Sequence, residues 1–302
     1  MSRQRTEAIP VEREKKIYCG KDWLEVGIFP AFHLPGGRGR RARQKESCPA
    51  QKNLNDRNAR RYFCRLVISN FGEGDFRLDL TYNREHLPET PEEMKRNADR
   101  FIRRLRYARQ KLGLPALKYV LVSGYGINSK TGKLVRPHHH LIVNGGLDVR
   151  EVLACWRERG KGGVSYGYVS YSPLQIDPDT GIAGLANYLS EQPMAGKRRW
   201  SGSHNLKKPE YTTNDSRYRR RQVERLILTE AYKAYGAECR KLINYEAWCA
   251  KYPGWRLVEY APEFNEAVGA WYLDLRFKRV ETGIKKGGAY GSKRVSSTAK
   301  TA

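Results

Sequence analysis

Cysteine is scarce and unpatterned in this chain. Cys19, Cys48, Cys64, Cys155, Cys239 and Cys249 form no Cys-x-x-Cys pair. That excludes a zinc knuckle or a disulfide framework and leaves reduced packing residues. Long apolar runs are missing as well. Nothing approaches the ~20 apolar residues that span a bilayer, and the opening stretch MSRQRTEAIPVEREKK has no apolar centre of the signal-peptide kind. We therefore expect a cytoplasmic protein with no membrane partner. Acidic residues are also in short supply, with 32 Asp+Glu against 57 Lys+Arg and a net charge of +25. An excess of that size opposes compaction on its own and implies a polyanionic partner. No internal repeat is present.

What the chain does have is clustered cations and many aromatics. The basic residues gather at 38–45 (RGRRARQK), 100–109 (RFIRRLRYAR), 197–200 (KRRW) and 217–221 (RYRRR), with 19 Tyr and 6 Trp along the chain. Cationic runs interleaved with aromatic platforms suit single-stranded nucleic acid, although a solvated basic surface would also carry such runs.

Four regions follow from the patterning. Residues 1–60 show little periodicity and many breakers, and read as a largely irregular basic arm. Residues 61–215 carry orderly elements, 216–283 read as a C-terminal α/β extension, and the small, polar tail 284–302 is expected to be disordered. In the central region FRLDLTY (76–82) alternates as a half-buried strand. Thr90, Pro91 and Glu93 open a helix whose apolar stripe runs from Met94 to Leu112 and ends at Gly113, with Arg100, Arg103, Arg104 and Arg106 outward. LKYVLVS (117–123) and HHHLIVN (138–144) read as strands, and Asp148 caps a short helix. VSYGYVSY (164–171) reads as a further strand, and IAGLANYLSEQ (182–192) as a helix closed by Pro193. The order β-α-β-β-α-β predicts an α+β fold, a ferredoxin-like split βαβ antiparallel sheet with its helices on one face. Beyond residue 222, two helical patterns precede a hairpin, WRLVEYAP with GAWYLDLRFKRV.

Histidine is rare, and three of the six residues stand together in RPHHHLIVN (136–144). In a strand His138 and His140 share one face, while His139 and Leu141 share the other. Two imidazoles so placed can chelate one metal ion, or they can form a polar strand end exposed to solvent.

Taken with their neighbours, these histidines resemble the HUH endonuclease superfamily, in particular the rolling-circle replication-associated proteins of bacteria and phages. The likeness covers roughly residues 50 to 215. GDFRLDLTYNREHLPET is similar to that family's first motif, and FIRRLRYARQKLGLPALKYVLVSGYG to its basic helix and second strand. RPHHHLIVN resembles the HUH motif, GIAGLANYLSEQ the tyrosine helix, and RRWSGSHNLKKPE the downstream basic segment. The resemblance implies the HUH endonuclease fold, Tyr188 as nucleophile, and Mg²⁺ or Mn²⁺ on His138 and His140. The implied activity is site-specific nicking of single-stranded DNA at a replication origin through a covalent 5′-phosphotyrosine. The setting would be a phage, plasmid or other mobile element in a bacterial host cell, with a host helicase or polymerase as a further candidate partner. Helix geometry independently puts Tyr188 about 110° from the apolar centre of its helix, on a boundary face.

The third metal ligand stays open among Gln192, Glu191 and Asp79. Gln192 ranks first, because the transposase branch places an amide four residues after its tyrosine. Where relatives carry a bulky apolar residue between the two ligands, a glutamate before the strand and a lysine after the tyrosine, this chain has His139, Gly124 and Glu191. Arg198, Arg199, Trp200, Asn205 and Lys207 are candidate DNA contacts, the cations for phosphates and Trp200 for a base. A transposase or relaxase using the same chemistry, or a non-catalytic nucleic-acid-binding module, are the alternatives. Aromatics on the outward sheet face would mark the last, and His138 and His140 stand there instead.

Overall fold

A computed structural model describes residues 9–33, 49–127, 132, 134–158, 160, 163–191, 200–227, 245–266 and 268–280. In chain order the elements are β1 (Ile9–Cys19), β2 (Trp23–His33), α1 (Pro49–Asn70), β3 (Phe76–Thr81), α2 (Pro91–Lys111), β4 (Tyr119–Ile127), β5 (Leu134–Val143) and α3 (Val149–Cys155). These are followed by β6 (Val169–Pro173), α4 (Ala183–Ser190), β7 (Ser201–Gly202), β8 (Glu210–Tyr218), α5 (Arg220–Ile227), α6 (Tyr245–Lys251), β9 (Trp255–Asn265) and β10 (Ala270–Arg279). The fold is α+β, with the strands in two antiparallel five-stranded sheets ordered β8-β1-β2-β10-β9 and β6-β3-β5-β4-β7.

The second sheet is built as its sequence dictates. Thr90 accepts from the backbone N–H of Glu93, Pro91 opens α2, and Gly113 takes a φ of +64° just beyond its end, where a side chain would be strained. The path β3-α2-β4-β5-α3-β6 lays its strands in the order β6-β3-β5-β4, that of a split βαβ unit. Leu78, Leu80, Leu121 and Leu141 pack with Phe101 and Leu105 of α2 and with Trp156 after α3. The fourth strand is shorter and later than its pattern, because Ser165 and Tyr166 are drawn aside by hydrogen bonds to Trp156.

Two expectations need correction. Helices cover both faces of this sheet: on the face opposite α2 and α3, Val120, Val122 and Ile142 meet Phe63 and Val67 of α1 and Ala186 and Leu189 of α4. And residues 1–60 are not an irregular arm throughout. Residues 9–33 form a hairpin whose strands lie inside the first sheet, between β8 and β10, and 49–70 is helical. Segments that read as an N-terminal arm and a C-terminal extension thus share one sheet, with β9 and β10 paired at its far side. Helices α5 and α6 cover that sheet around Val223, Trp248 and Phe277. Helix α1 is wedged between the two sheets, where Arg65 donates to Glu25 at 2.7 Å and Arg61 pairs with Asp274 at 3.0 Å. The tail 284–302 lies outside the described residues.

Cys19, Cys64 and Cys155 are buried free thiols, pushed up to about 12, 11 and 11 respectively by burial. No helix among the described residues is long and apolar enough to cross a membrane.

Candidate active site

The histidine strand β5 is central, with β3 on one side and β4 on the other. The register sets His140 between Asp79 and Val122, and His138 between Thr81 and Gly124. Alternation then sends His138 and His140 to the face covered by α1 and α4, and His139 to the other. The rings of His138 and His140 lie 4.7 Å apart, centroid to centroid, at 75°.

Each imidazole is held through its Nδ1. His138 donates from Nδ1 to the Arg136 carbonyl at 2.7 Å, and His140 donates to the Asp79 carboxylate at 2.5 Å. In the neutral rings both Nε2 atoms therefore carry the lone pair, the tautomer a metal ligand needs. His140 Nε2 is buried and meets no hydrogen-bond partner. A partnerless buried nitrogen on a ring braced from behind by a carboxylate fits a bound cation.

Asp79 is that brace, bonded to the Nδ1 side of the His140 ring. Arg77 grips it as a fork, Nε to Oδ1 at 3.0 Å and a terminal nitrogen to Oδ2 at 2.9 Å. Burial raises the Asp79 carboxyl, but the bonds and charges of His140 and Arg77 outweigh it and hold the group below the usual carboxylate range.

Tyr188 completes the group. It sits on α4, whose Ala186 and Leu189 are buried while Tyr188 is 49% exposed. Its ring stands edge-on to His140 with centroids 5.7 Å apart. The Arg77 guanidinium lies over the same ring at 5.5 Å. One arginine thus touches both the phenol ring and the carboxylate that anchors His140. Nothing in the sequence beyond its place two residues before Asp79 singled out Arg77.

The residues at unusual positions have structural reasons. His139 is fully buried, with Tyr82 Oη 2.9 Å from Nε2 and Ser123 Oγ 2.8 Å from Nδ1, against Trp156. Burial, with His138 and His140 nearby, lowers it to about 3, so it is a neutral core residue. At Gly124 an added Cβ would lie 2.3 Å from the His138 ring. The imidazole rests on bare backbone there, and no side chain fits beneath it.

The remaining candidates are scattered. Gln192, Arg198 and Arg199 lie outside the described residues. Glu191, exposed at the end of α4, lines a cleft between α1 and the first sheet with Asn187 and Ser190. No group of three or more His, Cys, Asp or Glu that could hold a metal ion occurs among the described residues. Trp200 is half-buried against Phe63 and Tyr62 of α1. Asn205 lines a depression with Arg106 and Gln110 of α2, on the far side of the sheet. Lys207 is pinned through its backbone to Asn70, near the start of β3, whereas the imidazoles lie toward its end. His86 hydrogen-bonds Asn83 and Glu158 and packs on Tyr166, away from the imidazole pair. No family model, curated protein or solved structure matches the chain.

Proposed function

We propose that this chain nicks single-stranded DNA at a replication origin, as an HUH endonuclease of the rolling-circle initiator type. The observation that carries the reading is the placing of Tyr188, half exposed and edge-on to His140 over the sheet face that also holds His138. The split βαβ strand order, the paired Nδ1 anchors and the net charge of +25 support it.

In this reading His138 and His140 would hold Mg²⁺ or Mn²⁺ through their Nε2 atoms, with Gln192 as the candidate for a further ligand. The bound cation supplies charge neutralisation at the scissile phosphate. Such hard ions prefer oxygen, so two imidazoles are an incomplete set to which phosphate oxygens are suited partners. Tyr188 Oη attacks the phosphorus in line and loses its proton to water. The bond from phosphorus to the 3′ oxygen breaks, and that oxygen takes up a proton to leave a free 3′ hydroxyl. The strand's 5′ phosphate stays on the tyrosine as a phosphodiester, so the bond energy is kept for rejoining. Arg77 lies over the ring where negative charge grows as the proton departs. Asp79 keeps the His140 proton on Nδ1.

A pool of labelled single-stranded oligonucleotides with Mn²⁺, resolved on a denaturing gel, tests the proposal. Cleavage is expected, with loss on adding EDTA and loss in the His138→Ala/His140→Ala double variant. Cleavage indifferent to EDTA would remove the metal from the reaction.

A further inference from the structure

Arg60 lies on α1, and its Nε is buried without a hydrogen-bond partner. Among the described residues it forms no ion pair, whereas its neighbours Arg61 and Arg65 are matched to Asp274 and Glu25. Arg60 lines a narrow apolar pocket with Val122, Leu189 and Trp200, and also the wider cleft that holds Glu191. Val122 pairs with His140 in register, and Leu189 directly follows Tyr188. Arg60 therefore stands one strand over from the imidazoles, on their face of the sheet. Next to it Tyr62 and Trp200 stack, with centroids 6.3 Å apart at 30°, and Tyr62 is exposed. Trp200 immediately precedes β7, the strand outside β4. Across this face the order is thus Arg77 with Tyr188, the two imidazoles, Arg60, and then an aromatic pair.

We infer that Arg60 and the Tyr62–Trp200 pair form a nucleotide subsite beside the imidazole pair, the guanidinium taking a backbone phosphate and the aromatics a base. A guanidinium fork matches a phosphate, and an aromatic pair beside it takes a base face without regard to sequence. The DNA character of the ligand rests on the proposed function; the unpaired cation beside a stacked aromatic pair does not. The competing role for Arg60 is that its stem only covers apolar surface. Methionine separates the two, since Arg60→Met keeps the stem and removes the donors.

The experiment uses full-length Tyr188→Phe protein in EDTA, so that neither cleavage nor metal enters. Binding of a labelled mixed-sequence single-stranded oligonucleotide is followed across a salt series. Arg60→Met is expected to bind severalfold more weakly, with the slope of log K against log salt shallower by about 0.7, the value for one phosphate contact on a single strand. Tyr62→Leu is expected to weaken binding without altering the slope. Arg103→Met, on the exposed face of α2 across the sheet, serves as control and is expected to leave the slope in place. An unchanged slope in Arg60→Met overturns the subsite, as does an equal change in Arg103→Met, which means a diffuse basic surface. Absence of binding by the parent also overturns it. Nicking by the chain with Tyr188 intact, together with a slope that Arg60→Met leaves unchanged, sinks the subsite alone. A slope that depends on Arg60 in a chain that never nicks keeps the subsite and sinks the nickase.

Discussion

Asp79 is the most instructive single residue. Its place opposite His140 on the neighbouring strand makes it a brace for the imidazole, where the sequence offered it only as one of three possible ligands. Carboxylates in this position typically change metal affinity ten- to a hundredfold. Asp79→Asn is therefore expected to weaken Mn²⁺ binding by about that factor in a calorimetric titration while leaving the circular dichroism spectrum intact. Unchanged affinity would mean that the His140 orientation does not depend on it. A second residue-scale prediction concerns Glu12, buried in β1 with Oε2 lacking a hydrogen-bond partner. Burial raises its carboxyl, Arg220 lowers it and Glu224 raises it, for a net upward shift from 4.5. Between that ordinary value and the raised folded value, the folded chain binds more protons than the unfolded one, so this group lowers stability as pH rises through the window. Glu12→Gln is expected to raise the urea midpoint at neutral pH, with the gain shrinking as the medium is acidified below 4.5. A gain independent of pH would put the cause elsewhere.

At the scale of elements, what could be read from the sequence was what local rules govern. The alternation of β3, the cap of α2 and the facing of His138 and His140 depend only on near neighbours. Helix α1 was missed because its first half is polar in sequence, and its buried face, Phe63, Cys64, Leu66 and Val67, is confined to the second half. Strand β1 was missed for another reason. Glu12 and Glu14 occupy inward positions that an apolar pattern would fill. Glu14 there accepts from Tyr252 at 2.7 Å and pairs with Arg217 at 3.0 Å. Such pairings join residues more than two hundred positions apart, which no window of sequence displays. If α1 is the wedge between the sheets, Phe63→Ala leaves a cavity against Val122 and Trp200 and is expected to cost about 3–5 kcal/mol of unfolding free energy. A cost near zero would detach α1 from the core. On β4, Gly124→Ala is expected to displace the His138 ring and weaken Mn²⁺ binding with the fold retained. Binding as tight as in the parent would show that the ring does not need the bare backbone.

For the molecule as a whole, the sequence placed the histidine sheet correctly in outline but gave no sign that the chain's two ends build a second sheet. That pairing is set by long-range partners: β1 joins β2 locally, but β8 and β10 flank the hairpin from far along the chain. Removal of residues 1–33 is accordingly expected to abolish cooperative unfolding of the protein, because it strips two inner strands, among them the strand that pairs with Leu273 and Phe277 of β10, from the first sheet. A truncated protein that unfolds as sharply as the parent would restore the reading of this region as a detachable arm. The net charge of +25 is a property of the same scale and gives affinity for polyanions without saying what is done to them. Chemistry requires the phenol and the imidazoles to act together, and peptide mass mapping after incubation with single-stranded DNA and Mn²⁺ tests that most directly. A nucleotide mass on the peptide containing Tyr188, absent from Tyr188→Phe, is the predicted result. An adduct on any other tyrosine, or one that survives the substitution, would contradict it.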